Sequence, residues 1–311
     1  MSVTATFQSL LDRYWRTLPG NFRGCFWMLL AALSFIIVQS FTKALGGKIP
    51  SAEIAFFRCA IGSIAVMPFL ISRGLGAFHT LNLPFHLLRG LFGAAAVFLM
   101  VFAIVHMPIA DATVIGFTRM LFLIVLAVLF LGEKVRWRRW AATAIGFGGV
   151  VLMLRPSDGA FQLAALSALG AALCFASAHT CIKMCTTRKD HPMTVQTYYA
   201  AISTILTFIP AMLVWITPDL EQVLLLLAMG VMSGVAQTCT AYAYGAGEAT
   251  FVSPFDYSRL IWAALAGWFL FSEPLGFTTL AGAAVIIGAN AYIARRQAVE
   301  NRAAKAAVTG S

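Results

Sequence analysis

Ten long apolar stretches, broken by Gly, Pro and charged clusters, run along the chain near residues 24–44, 52–72, 85–106, 110–131 and 137–154, then 162–184, 194–216, 221–244, 249–271 and 276–294. Most approach the roughly 20 residues an α-helix needs to cross a hydrocarbon core. The pattern predicts an all-α polytopic membrane protein with ten transmembrane helices. What remains suffices for short loops and tails, not for a sizeable soluble domain.

Composition agrees: 60% of the 311 residues are hydrophobic and 11% charged, against about 45–50% and about 25% in a soluble domain. A disordered chain, a disulfide-stapled secreted module and an ordinary cytosolic enzyme are excluded. The formal charge of +10 does not mark a nucleic-acid partner, because the basic residues fall between apolar runs and form no stripe. With the N-terminus inside, Arg13, Arg16, Arg23, Arg73, the cluster Lys134–Arg139, the group from Lys183 to Lys189 and the run from Arg295 to Lys305 share one side. The other side holds only Lys43, Lys48 and Arg155. Cytoplasmic loops retain Lys and Arg, so both termini are expected in the cytoplasm. The start of the chain reads as a cytosolic tail before a retained helix, since no basic region precedes a short apolar core and cleavage site.

The six cysteines lie mostly inside apolar runs without regular spacing and read as reduced, small packing residues. Cys181 and Cys185 share a helical face, but two thiols without His or carboxylate ligands beside them are expected to make a poor metal site. Trp27, Trp137, Trp140 and Trp215 fall near predicted span ends, where Trp favours the interface. Trp262 and Trp268 lie inside the ninth span and read as packing residues.

Sliding the chain against itself reveals a repeat at an offset of 140 residues. Ala31, Ala32, Leu33, Phe35 and Lys43 meet Ala171, Ala172, Leu173, Phe175 and Lys183. Further on, Gly90 meets Gly230, Arg119 meets Arg259, Glu133 meets Glu273 and Gly148 meets Gly288. The chain is thus a duplicated five-helix unit: residues 22–155 and 156–296, between tails 1–21 and 297–311. Because five is odd, the second copy enters the membrane from the opposite side. Inverted repeats around a central cavity are the architecture of secondary transporters, whose halves exchange conformations to expose a midplane site to each side in turn.

Phe130-Leu131-Gly132-Glu133-Lys134, Arg138-Arg139-Trp140, Gly146-Phe147-Gly148-Gly149 and Leu154-Arg155-Pro156 closely resemble the fourth and fifth spans of EamA-type members of the drug/metabolite transporter superfamily. Phe269-Leu270-Phe271-Ser272-Glu273-Pro274 resembles the second-half counterpart, with Ser272 in place of the motif's Gly. The resemblance covers about residues 22–296. It implies a ten-helix bundle carrying a small metabolite, such as an amino acid, riboflavin or S-adenosylmethionine, across a bacterial inner membrane.

Charges at depth in a span cost about 2.5–3.5 kcal/mol each on insertion scales and face the bundle interior or water. Arg58, Arg119, Asp256 and Arg259 qualify. Asp256 and Arg259, three apart, share a helix face, while Arg119 has Gly116 at the equivalent position. Three guanidiniums against one carboxylate leave a net +2, and guanidinium binds carboxylate or phosphate bidentately. An anionic, zwitterionic or aromatic substrate is therefore expected; the competing reading ties these arginines to helix-end carbonyls or the interface. Asp256, the one acidic group at depth in this reading, is the candidate for proton coupling or a substrate amine, against a permanent salt bridge with Arg259. Tyr199, Tyr242 and Tyr257 complete the expected substrate-binding set, with Tyr198 and Tyr244 explained as well by interfacial anchoring. Arg89 reads as a snorkelling anchor, His179 as a packing histidine, and Glu133 and Glu273 as carboxylates placed to stabilise a helix N-terminus.

No phosphate-cradling loop, zincin motif, aspartate-rich pair or ATPase signature is present. No catalytic residues, metal or cofactor are expected. The partners are the bilayer, a small-molecule substrate and, as coupling ion, protons. The alternatives are a membrane-embedded lipid-modifying enzyme, which would need an interfacial cluster of titratable groups, and a channel.

Overall fold

Short connections between long apolar helices force successive helices to run antiparallel, and a computed structural model of the protein has this form. It describes residues 19–67, 71, 79–80, 82–131, 137–153, 159–187, 190, 192–246, 252–274, 276–289, 291–292 and 295. The first repeat contains α1 (Gly20–Leu45), α2 (Ser51–Gly62, prolonged by a 3-10 turn over Ser63–Val66), α3 (Leu83–His106), α4 (Ile109–Gly116), α5 (Arg119–Leu131) and α6 (Trp137–Met153). The second contains α7 (Gly159–Thr187), α8 (Pro192–Leu213), α9 (Leu220–Ala246), α10 (Ser258–Phe271, preceded by a 3-10 turn over Ser253–Tyr257) and α11 (Phe277–Ala289). Five segments, Gly20–Leu45, Leu83–His106, Ile109–Phe130, Gln162–Ile182 and Leu220–Thr240, are long and apolar enough to cross a membrane by themselves. Among the described residues all six cysteines are free thiols.

Packing obeys the repeat. The two most extensive helix pairs are α3 with α7 and α9 with α1, which the 140-residue offset exchanges. The contact of α5 with α7 is likewise answered by that of α10 with α1. Glycine permits the close crossings. A Cβ on Gly90 would overlap the Ile202 side chain, and one on its repeat partner Gly230 would overlap Ile61.

The fourth span, expected as one helix, is broken. Thr118 donates its hydroxyl to the Ile115 carbonyl at 2.6 Å, and the chain passes through a turn at Phe117–Thr118 before α5 begins at Arg119. At the matching place in the ninth span, the 3-10 turn containing Pro254 leads into α10 just before Arg259. Two discontinuous helices therefore face each other across the pseudo-two-fold axis, the arrangement from which transporter sites are built.

One end of the bundle carries the start of α1 and the end of α9, which touch through Trp27 and Tyr242, with ring centroids 5.2 Å apart. His86 at the start of α3 also lies here, with its Nε2 2.9 Å from Asp190 Oδ2 before α8. Thr80 Oγ1 and Asn82 Nδ2 donate to the same carboxylate oxygen at 2.9 and 3.0 Å. Burial would push the Asp190 carboxyl up, but these hydrogen bonds outweigh it and hold it below its ordinary value. Cys185 lies beside His86 and Asp190, so the thiol has the His and carboxylate neighbours that it is expected to lack. Arg89 is not a snorkelling anchor: it is buried and donates to the Val195 carbonyl and, at 3.1 Å, to Gln196 Oε1.

At the opposite end, Lys43 of α1 pairs with Glu273 beyond α10 and donates to the Met107 carbonyl at 2.7 Å. Glu273 Oε2 accepts the Ile109 N–H at 2.9 Å. The helix N-terminus it stabilises is thus that of α4, in the other repeat, rather than that of the tenth span that follows it in sequence. Ser272 adopts a left-handed conformation, φ 53°, and Glu273 N–H returns to the Gly267 carbonyl at 2.9 Å. Ser272 thereby makes the turn for which its repeat partner Gly132 is the usual residue. Glu133, Lys134, Arg136, Arg73, Arg155 and most of both tails lie outside the described residues, as do the side chains of Lys183 and Tyr244.

Candidate functional site

A cavity of about 460 Å³ occupies the centre of the bundle, within the roughly 300–1,000 Å³ of small-molecule sites. It follows the repeat: Phe35 and Phe175, Cys59 and Tyr199, and Ser63 and Ser203 line it as partners 140 residues apart. Gln39 and His179, and Arg119 and Arg259, do the same. Its walls come from the first half of α8 (Gln196 to Ser203), the second half of α9 (Ser233 to Thr240) and the second half of the second span (Arg58 to Ser63). It therefore extends from the middle of the bundle toward the end where α1 begins. The opposite end is closed by the cluster of Lys43, Glu273, Met107 and Ile109.

The charged centre lies where the two broken helices meet. Arg119 opens α5 and Arg259 is the second residue of α10. A cation at a helix N-terminus opposes the macrodipole and calls for a counter-charge. Asp256 supplies it to both: its Oδ2 accepts from Arg119 Nη2 at 3.0 Å, and its Oδ1 is 2.6 Å from Arg259 Nε. Arg119, which has no carboxylate on its own helix, thus borrows that of the other repeat. Asp256 is 5% exposed and Arg259 9%. The Arg259 guanidinium also lies 3.9 Å from the Phe35 ring centroid.

Of the residues expected to bind substrate, Arg58, Arg119, Asp256, Arg259 and Tyr199 line this one cavity. Tyr199 is held by Arg89, whose guanidinium carbon is 4.7 Å from its ring centroid, and by Gly93, where a Cβ would overlap the ring. Two expectations are corrected. Tyr242 is 58% exposed on the outside of α9, against Trp27. Tyr257 follows Asp256 in the 3-10 turn, which sends its ring into the core against Phe117, centroids 5.1 Å apart.

Asp256 is also not the only buried acid. Glu53 is fully buried in the first turn of α2 and accepts the Ile216 N–H at 3.1 Å; Asp111, in the first turn of α4, accepts from Thr279 Oγ1. Neither lines the cavity. Trp262 packs beside Ile36 and Ala263 as expected, whereas Trp268 is 59% exposed and faces outward.

His179, read as a packing histidine, instead presents its ring to the cavity while its Nδ1 meets the Phe175 carbonyl at 2.6 Å. Gln39, Gln196 and Gln237 also line the cavity and escaped the sequence reading. The offset of 140 pairs Gln39 with His179, a signal that would have found both.

Comparison with known proteins places this geometry. The sequence profile of the EamA-like transporter family matches residues 22–155 and again 162–295. An S-adenosylmethionine uptake transporter of Rickettsia prowazekii is 33% identical over 271 residues, 87% of this chain and 92% of the relative. A riboflavin transporter of Vibrio cholerae is 34% identical over 286 residues, 90% of this chain and 95% of the relative. A solved crystal structure covering 88% of this chain and 96% of its own shares the fold, with a TM-score of 0.56 at 19% identity.

Proposed function

The chain belongs to the EamA-like transporter family, and from that premise we propose that it carries a small organic metabolite across the bacterial inner membrane by alternating access, acting as a carrier and not as an enzyme or channel. Residues 22–155 and 156–296 serve as the two repeats, and the tails 1–21 and 297–311 lie in the cytoplasm. The observation that carries this reading is a cavity bordered by repeat partners, reaching toward one end of the bundle and closed at the other by an ion pair between the repeats. With the basic loops inside, the open end is cytoplasmic, and exchanging the conformations of the two halves opens the other.

Substrate meets Arg58, Arg119, Arg259, Asp256 and Tyr199, with His179 and the three glutamines supplying neutral hydrogen bonds. The names of the relatives direct the first trials to S-adenosylmethionine and riboflavin. Asp256 pairs with both Arg119 and Arg259 and serves as their shared counter-charge. The deciding experiment is uptake and counterflow in proteoliposomes with labelled S-adenosylmethionine, riboflavin and amino acids, with and without a pH gradient. Saturable uptake with trans-stimulation is expected for at least one. Flux that never saturates would indicate a channel, and no counterflow with any of them would overturn the carrier reading.

A further inference from the structure

The three cavity arginines do not have the same surroundings. Arg119 and Arg259 both rest on Asp256, and the three groups sum to +1. Arg58 is different. It sits in the middle of α2, away from the unsatisfied carbonyls of a helix end, yet its Nη1 is buried with no hydrogen-bond partner among the described residues. No described carboxylate pairs with it. Its repeat partner is Tyr198, which stacks on His86 at a centroid distance of 4.6 Å, so the duplicated scaffold does not explain a cation there.

A guanidinium nitrogen buried without a partner, on a side chain with no carboxylate beside it among the described residues, is a costly feature for a fold to keep. It is tolerated where a ligand completes it. We propose that Arg58 is the docking point for an oxyanion of the substrate, a carboxylate or a phosphate. The Arg119–Asp256–Arg259 group is then a framework on the other wall whose arginines already share a counter-charge. This deepens the carrier reading above and rests on it: the substrate is an organic anion, or a zwitterion whose acidic group enters toward α2. With +2 in the cavity, a molecule lacking an acidic group gains nothing at Arg58. The body of such a substrate lies along Phe35, Phe175 and Tyr199, and its anionic group forms charge-assisted hydrogen bonds with the guanidinium.

The test uses the full chain purified in detergent and matched probes that differ only in the acidic group. One pair is riboflavin 5′-phosphate against riboflavin, for phosphate; the other is S-adenosylmethionine against its carboxyl methyl ester, for carboxylate. Binding is read by thermal shift and by flavin fluorescence. In at least one pair the acidic member should bind about tenfold tighter or more, the margin of a charged hydrogen bond, and the pair that responds identifies the oxyanion. Arg58→Gln should abolish the preference and Arg58→Lys retain part of it.

The unliganded Arg58→Gln protein should also melt no lower than the wild type, because an unpaired buried charge has been removed. A purely structural arginine would give the reverse. Equal binding within both pairs, no binding of any probe, a preference that survives Arg58→Gln, or a marked loss of unliganded stability would each overturn the assignment. Counterflow measured after the same protein is reconstituted into proteoliposomes separates this outcome from failure of the carrier reading, which concerns the wild type alone.

Discussion

Lys43 near the end of α1 and Glu273 just beyond α10 form an ion pair that ties the two repeats together at the end of the bundle where the cavity is closed. The pair is anchored on both sides. Lys43 also donates to the Met107 carbonyl, and Glu273 caps the N-terminus of α4 through the Ile109 N–H. Four segments from both repeats therefore converge on two side chains, which makes this contact the natural latch of the closed end.

Removing one member of a largely buried pair costs about 3–5 kcal/mol, enough to shift a closed state toward opening. Lys43→Met and Glu273→Gln should each expose the cavity from the closed end, which the orientation proposed above places on the periplasmic side. The measurement is the rate at which a membrane-impermeant maleimide labels Gln39→Cys in right-side-out vesicles, with Cys59 replaced by Ala. Labelling should rise about tenfold for each 1.4 kcal/mol released. Unchanged labelling in both variants would show that the latch does not hold the closed end.

Asp256→Asn leaves Arg119 and Arg259 facing each other without their shared carboxylate. The expected loss is about 3–5 kcal/mol, the usual result of breaking a buried pair from one side. Arg119→Gln combined with Asp256→Asn should recover part of it, since one of the two stranded cations is gone. Thermal unfolding of the single and double variants, arranged as a mutant cycle, checks this. Strict additivity would mean that Arg119 and Asp256 do not interact.

Much of this arrangement was legible in the sequence. The apolar runs and the offset of 140 give the spans and the inverted repeat, because burial in lipid demands length and duplication preserves position. The charges at depth led to Arg58, Arg119, Asp256 and Arg259, because a charge in a span must be accommodated by the interior. What could not be read was which way neutral residues face. In lipid both sides of a helix are apolar, so periodicity does not separate the core side from the lipid side. Tyr242 and Tyr257 were misplaced for that reason, and Gln39 and Gln237 overlooked. Asp256 reaching Arg119, and Glu273 capping α4, join residues on different helices, and helical spacing reports only neighbours on the same one.

Gly93 faces the Tyr199 ring so closely that a Cβ there would overlap it. Gly93→Ala must push Tyr199 into the cavity or part α3 from α8, an overpacking change of about 1–3 kcal/mol. The expected kinetic result is a raised KM for the transported substrate, with a smaller effect in Gly148→Ala, where a Cβ meets open space. Equal KM values in the two variants would show that Tyr199 does not shape the site.

The Asp190 cluster makes a prediction about pH. Its carboxyl is held below its ordinary value by donors from Asn82, His86 and Thr80. A carboxylate lowered on folding contributes stability that is fully present above its unfolded pKa of about 3.9 and lost as pH falls through the lower folded value. Wild type should therefore melt above Asp190→Asn at neutral pH, and the gap should shrink only below about pH 4. The comparison needs melting curves of both proteins in detergent from neutral pH to about pH 3. A gap independent of pH would mean that the Asp190 charge is not what fastens the start of α3 to the start of α8.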